Sequence, residues 1–144
     1  AIVAGASEKD QNNIYEFGKN IGLAFQIQDD FLDTYGEEEK FGKKIGGDIL
    51  ENKKTLLFIR AKQLLSELDS ENLTNLYSSK FTNDTDKIAE VRSLFEKCNI
   101  PKLITSEIEN FTNISLKILD ELQISYEKKE FLRDFANSLM KRNI

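Results

Sequence analysis

The sequence contains no histidine and no tryptophan, and only one cysteine and one proline in 144 residues. Without histidine the commonest general base and transition-metal ligand is gone, so any chemistry must run on carboxylates, amines, amides or hydroxyls. The same absence excludes a di-iron carboxylate bundle, which needs histidine beside its glutamates. A lone cysteine, Cys98, excludes an internal disulfide framework and fits a reducing compartment, where it is expected as a buried small apolar side chain. No apolar run approaches the roughly 20 residues that span a bilayer, and no secretory leader pattern opens the chain. The basic residues are scattered under a net charge of -5, so the continuous positive stripe that neutralises a nucleic-acid backbone is missing. These absences predict a soluble, cytoplasmic protein with no transmembrane segment and no nucleic-acid partner.

What is present is Leu, Ile, Lys and Glu, which lose little on entering a helix, together with a set of phenylalanines. The fold class expected is all-α. At this length one compact domain over residues 1–144 is expected, burying about two-thirds of the surface of its unfolded chain around a single core. Ile14, Phe17, Ile21, Ala24, Phe25, Phe31 and Leu32 recur on one helical face, with Gln28 the polar exception, and predict one long helix over 8–35. It should stop at Gly36, where glycine can take the left-handed conformation that closes a helix. Gly18 and Gly22 predict close packing against a neighbouring element.

Residues 36–53 hold four of the seven glycines, interleaved with lysines and Asp48, and show no periodicity. A loop of that length in a helical domain is more often functional than idle. A second helix is predicted from Asn52, as its N-cap, to about Leu68. Shorter predicted helices cover 71–79 and 85–98, Pro101 suits the first turn of the next, and a last helix covers about 127–142.

Asp29 and Asp33 stand four residues apart, with Asp30 three from Asp33, so a helix gathers their carboxylates on one side. They fall in the last two turns of the first helix, where the backbone already presents partial negative charge. Lys53 and Lys54 fall at the predicted start of the next helix, where outward amides favour an anion instead. Charges set against both helix ends predict a hard cation on the carboxylates and an oxygen-rich anion beside the lysines. Magnesium with a diphosphate suits this pairing, since magnesium takes a few carboxylate oxygens, keeps waters and shares the rest with substrate phosphates. An EF-hand over 29–39 is excluded by Phe31 at its third position and Thr34 where its turn requires glycine.

The run Phe25-Gln26-Ile27-Gln28-Asp29-Asp30-Phe31-Leu32-Asp33, followed by Gly42-Lys43, Gly47-Asp48-Ile49 and Asn52-Lys53-Lys54-Thr55-Leu56, resembles the second aspartate-rich region of trans-type prenyl diphosphate synthases. The resemblance covers about residues 1–60; beyond, only the helical character agrees. It implies part of an isoprenoid synthase helical barrel, and magnesium-dependent condensation of isopentenyl diphosphate with an allylic prenyl diphosphate. It further implies that Asp29, Asp30 and Asp33 are metal ligands, that Lys43 and Lys53 contact the allylic diphosphate, that Phe25 and Gln26 line the reacting centre, and that Asp48 supports them. A homodimer is the family expectation for the full-length protein.

The family's first aspartate-rich motif, a preceding lysine-threonine pair and the basic residues for isopentenyl diphosphate are not found in these residues, and the opening Ala1-Ile-Val-Ala-Gly-Ala-Ser7 has no initiating Met. The expectation is a carboxyl-terminal fragment that does not catalyse prenyl transfer alone. Two rival readings are a class I terpene cyclase, which the Phe-Gln-x-Gln-Asp-Asp run and Gly-Lys loop disfavour, and a non-catalytic subunit of a heteromeric synthase. Product length is not encoded in this stretch.

Overall fold

The computed structural model describes residues 5–36, 45–78 and 83–141. Among them there are seven helices and no strand: α1 (Glu8–Tyr35), α2 (Gly47–Leu50), α3 (Leu56–Leu64), α4 (Glu67–Leu76), α5 (Asp84–Lys97), α6 (Ile100–Glu121) and α7 (Tyr126–Met140). The all-α class expected from composition is the class observed. No helix among the described residues is long and apolar enough to cross a membrane.

Helix α1 has the predicted bounds. Ser7 opens it: its hydroxyl accepts the Asp10 amide at 3.1 Å and donates to Asp10 Oδ2 at 2.9 Å, satisfying one of the orphan donors of the first turn. The helix does end at Gly36, but by a different device from the left-handed cap expected. Gly36 keeps an ordinary negative-side backbone, its amide donates to the Leu32 carbonyl at 2.8 Å, and a Cβ there would lie 2.5 Å from that same oxygen. Close approach, and not handedness, is what requires glycine.

The chain divides into two compact units, residues 1–28 with 106–143, and residues 29–105 with 144. In the first, Phe17, Ile21, Leu119, Leu122 and Ala136 form the buried centre, with Ile14, Leu116 and Leu132 packed against it. Polar groups inside it are matched across long sequence separations. Asp10 Oδ1 accepts the Gln123 amide at 2.9 Å, and the fully buried Ser115 hydroxyl donates to the Phe17 carbonyl at 3.0 Å. Gly18 and Gly22 do not show the close packing predicted for them: a Cβ at either would meet nothing within 4 Å among the described residues. Phe131, although in phase with the apolar positions of α7, is 73% exposed.

In the second unit α5 is the common neighbour, since α2, α3 and α4 each pack against it. Its Val91 and Phe95 are buried, as are Ile49, Leu57 and Leu73 from the other three helices. The predicted second helix, from Asn52 to about Leu68, is corrected at both ends. Asn52 is not a cap but a left-handed residue, φ 58°, in the turn after the short α2. Asparagine tolerates that conformation better than most residues do. Thr55 precedes α3 instead, and the chain breaks into extended backbone at Leu65, where Ser66 caps α4 by accepting the Asp69 amide at 3.2 Å. The Ser-x-x-Asp signal at 66–69 overrides the leucine periodicity that appeared to run through it. Helix α5 begins after Asn83, which accepts the Thr85 amide at 3.0 Å, and Pro101 sits in the first turn of α6 as expected.

Candidate functional site

The last turns of α1 carry Asp29, Asp30 and Asp33 into the second unit, and the chain returns beside them at α2. Asp33 is the joint. Its carbonyl accepts the Gly46 amide at 2.6 Å, and its Oδ2 accepts the Asp48 amide at 2.8 Å. A Cβ at Gly47 would sit 3.2 Å from Asp33 Oδ1, so glycine leaves room for the carboxylate against the start of α2. Gly46 is left-handed, φ 84°, and is enclosed by Ile88 of α5.

Asp48 then faces the other way, accepting Lys53 Nζ on Oδ1 at 2.6 Å, and Lys53 also pairs with Glu51 at 3.0 Å. Lys53 does not stand in the first turn of a helix as predicted. It lies in the segment between Asn52 and Thr55, its amide donating to the Asp48 carbonyl at 2.9 Å. The dipole argument for that lysine is therefore replaced by a direct one: two carboxylates fix its ammonium and hold its pKa above the usual lysine value, the Asp48 hydrogen bond first.

The electrostatics of the carboxylates follow from crowding in a half-buried place. Burial raises the Asp30 carboxyl to about 6, with the charges of Asp48, Asp29 and Asp33 adding to it and Lys53 opposing. Burial also raises Asp33, partly offset by the hydrogen bond from the Asp48 amide. Among the described residues, the carboxylates of Asp29, Asp30, Asp33, Asp48 and Glu51 thus share one region with the Lys53 ammonium. Among the described residues no three acidic side chains close round a single point as a metal cage would. The donors that Asp29, Asp30 and Asp33 offer are hard carboxylate oxygens, the type that magnesium takes alongside waters and substrate phosphates and that softer ions disfavour.

The structure therefore brings Asp29, Asp30, Asp33, Asp48 and Lys53 into one unit. Phe25, half-buried, and Gln26, exposed, stand one turn earlier on α1 and belong to the other unit. Lys43 lies outside the described residues. Cys98 is half-buried, its thiol raised by burial and donating to the Leu94 carbonyl at 3.3 Å, which leaves it a packing residue. Sequence reasoning missed Arg92, which donates to the Thr34 carbonyl from Nε at 2.8 Å and from Nη2, beside the acidic cluster. It also missed Lys87, and a lone lysine or arginine in a charged amphipathic helix gives no signal that would have found either.

An all-helical chain whose first long helix ends in Asp-Asp-x-x-Asp, joined through Asp33 to a Gly-Asp turn and a lysine, has the build of an isoprenoid synthase. Residues 1–95 match the polyprenyl synthetase family, and the chain belongs to that family. It is 32% identical over 142 residues, 99% of its length, to a short chain isoprenyl diphosphate synthase from Methanothermobacter thermautotrophicus, covering 42% of that protein. Among solved structures it matches a geranylgeranyl pyrophosphate synthase at 40% identity and a TM-score of 0.86, over 100% of this chain and 45% of the other. It also matches a geranylgeranyl pyrophosphate synthase from Corynebacterium glutamicum, complexed with isoprenyl diphosphate and magnesium, at 26% identity and a TM-score of 0.83, over 98% of this chain and 40% of the other. The chain thus spans less than half the length of the relatives it matches.

Proposed function

We propose that the protein carrying this chain is a magnesium-dependent prenyltransferase that lengthens an allylic diphosphate with isopentenyl diphosphate, and that Asp29, Asp30 and Asp33 are its metal ligands in this region. The observation that carries the reading is geometric: Asp33, at the end of the Asp29–Asp33 run, accepts the Asp48 amide at 2.8 Å, and Asp48 in turn accepts Lys53 at 2.6 Å, so that acidic and basic groups meet in one place, where burial and neighbouring carboxylates also raise the Asp30 carboxyl. Such crowding is relieved by a bound hard cation, and perturbed groups of this kind concentrate at functional sites.

Magnesium held there would take up the negative charge that develops on a diphosphate leaving group. The residues of the chain divide the remaining work. Asp29, Asp30 and Asp33 supply oxygen ligands from one rigid helix, and Asp33 couples them to the turn at Gly46–Asp48. Asp48 orients the Lys53 ammonium, which contacts the phosphate oxygens as a point charge. Lys43 shares that contact. By the family resemblance, Phe25 and Gln26 are assigned to the reacting centre. A relative has been solved with isoprenyl diphosphate and magnesium, which supports a diphosphate and magnesium as the bound groups.

The test is incorporation of labelled isopentenyl diphosphate by the complete gene product, with dimethylallyl diphosphate as starter. Magnesium-dependent elongation that collapses in an Asp29→Ala, Asp33→Ala variant is expected, and the 144-residue chain alone is expected to show none. A folded gene product that elongates no allylic starter would remove the proposal.

A further inference from the structure

Helix α5 contains a lysine that the reaction does not call for. Lys87 is 3% exposed, yet it is charged, and burying an ammonium is unfavourable unless its protons are matched. Its Nζ donates to Asn52 Oδ1 at 2.7 Å and lies 5.7 Å from the centre of the Tyr77 ring. Asn52 is one of the two left-handed residues that bracket α2; the other is Gly46. The residue after Lys87, Ile88, is the one that fills the space at Gly46, where a Cβ would lie 2.5 Å from Ile88 Cδ1. Consecutive residues of α5 thus grip both ends of the segment that carries Asp48. One turn further along α5, Arg92 holds the Thr34 carbonyl, next to Asp33.

We propose that Lys87 is a positioning residue: by holding Asn52 it fixes the left-handed turn from which Lys53 projects, and so sets the Asp33–Asp48–Lys53 chain of contacts without touching metal or diphosphate itself. The inference rests on the reading of the site given above. Two features separate it from ordinary core packing. A Leu or Met would fill the same volume without a buried charge, and replacing a buried ionic group by an apolar one is often neutral or stabilising, so stability alone does not account for a lysine here. Its acceptor, moreover, lies on the residue adjacent to Lys53. Groups hydrogen-bonded directly to metal ligands change metal affinity about 10- to 100-fold when removed, and Lys87, which acts through Asn52 and Lys53, is expected at the lower end of that range.

The experiment uses the complete gene product with Lys87→Met, Asn52→Gly and the double variant, against Asp33→Asn as a reference. Asn52→Gly keeps the left-handed turn and removes only the acceptor; the double variant leaves no buried charge if Lys87→Met or Asn52→Gly alone folds poorly. Affinity for magnesium pyrophosphate is measured by calorimetry, and hydrogen exchange is followed over residues 46–53 and, for comparison, over α3. The expected result is faster exchange confined to 46–53 and a Kd raised about tenfold in each variant, with no further loss in the double; the melting temperature stays close to wild type in Lys87→Met and the double variant and falls in Asn52→Gly, where the ammonium is left buried without its acceptor. Unchanged exchange at 46–53, or faster exchange with an unchanged Kd while Asp33→Asn raises it, would overturn the proposal. A wild-type protein that does not bind magnesium pyrophosphate would overturn the site reading, and exchange at 46–53 in the variants would then decide by itself whether Lys87 secures the turn.

Discussion

The carboxylate of Asp33 accepts the backbone amide of Asp48 at 2.8 Å, and because the Asp33 carbonyl also accepts the Gly46 amide, one residue at the end of α1 closes the return of the chain. A proposed metal ligand is therefore also a structural fastener. Asp33→Asn keeps an oxygen that can accept the Asp48 amide, whereas Asp33→Ala leaves that amide without it. The Ala variant is expected to lose about 1–2 kcal/mol of stability in urea unfolding, the Asn variant less than half of that, while both lose magnesium affinity. Equal destabilisation by the two would show that the hydrogen bond contributes little.

Asp30 gives the opposite sign. Its carboxylate is raised by burial and by three like charges, so in the metal-free protein the ionised form opposes folding at neutral pH. Asp30→Asn should therefore raise the metal-free stability at pH 7 by about 1 kcal/mol, after allowing for screening by solvent at a half-buried site. The same variant should reduce magnesium affinity, so added magnesium stabilises wild type more than the variant. Thermal melts with and without the ion measure both effects; a variant less stable than wild type without metal would contradict the assignment.

At Gly46 the backbone is left-handed and Ile88 occupies the place of a side chain. Gly46→Ala should lose about 1–3 kcal/mol, since it meets both a conformational penalty and an overpacked contact. Combined with Ile88→Ala the loss should be smaller than the sum of the single losses by more than about 0.5 kcal/mol, as expected for residues that share one space. Strict additivity in a double-mutant cycle would place the two residues out of contact.

Asp10 fixes a pH dependence in the first unit. The amide of Gln123, and then the Ser7 hydroxyl, hold its carboxyl below the usual value of 3.8. A carboxylate with a depressed folded pKa stabilises the protein fully above its unfolded pKa and loses that contribution as pH falls through the folded one. Melting temperature should thus fall more steeply below pH 4 in wild type than in Asp10→Asn. Parallel curves between pH 5 and pH 2.5 would contradict the linkage.

Much of this was legible in the sequence where the signal is local. Helix α1 emerges with its bounds because its apolar face is long and regular and Gly36 punctuates its end, while the Ser7 cap at its start is seen only in the structure. The acidic cluster is legible because its spacing is helical. The stretch 47–68 is not, because Asn52 serves equally as a cap or as a left-handed turn residue, and only its contact with Lys87 decides between them. Gly18 and Gly22 mislead for a related reason: small-residue spacing permits close packing but does not supply the neighbour. The link from Asp33 to Asp48 depends on the path of the loop, which no periodicity records.

The two units also differ in how far apart in the chain their contacts lie. The first is fastened by Ser115 to Phe17, by Gln28 to Met140 and by Asp10 to Gln123, pairs separated by 98, 112 and 113 positions, whereas Asp33 and Asp48 are 15 apart and Lys87 and Asn52 are 35 apart. Loop closure disfavours distant pairs before they are rewarded, so the acidic unit can assemble while the chain is still being synthesised and the first unit must await the arrival of α6 and α7. Until α6 and α7 arrive, Phe17 and Ile21 lack the packing that Leu119, Leu122 and Ala136 supply.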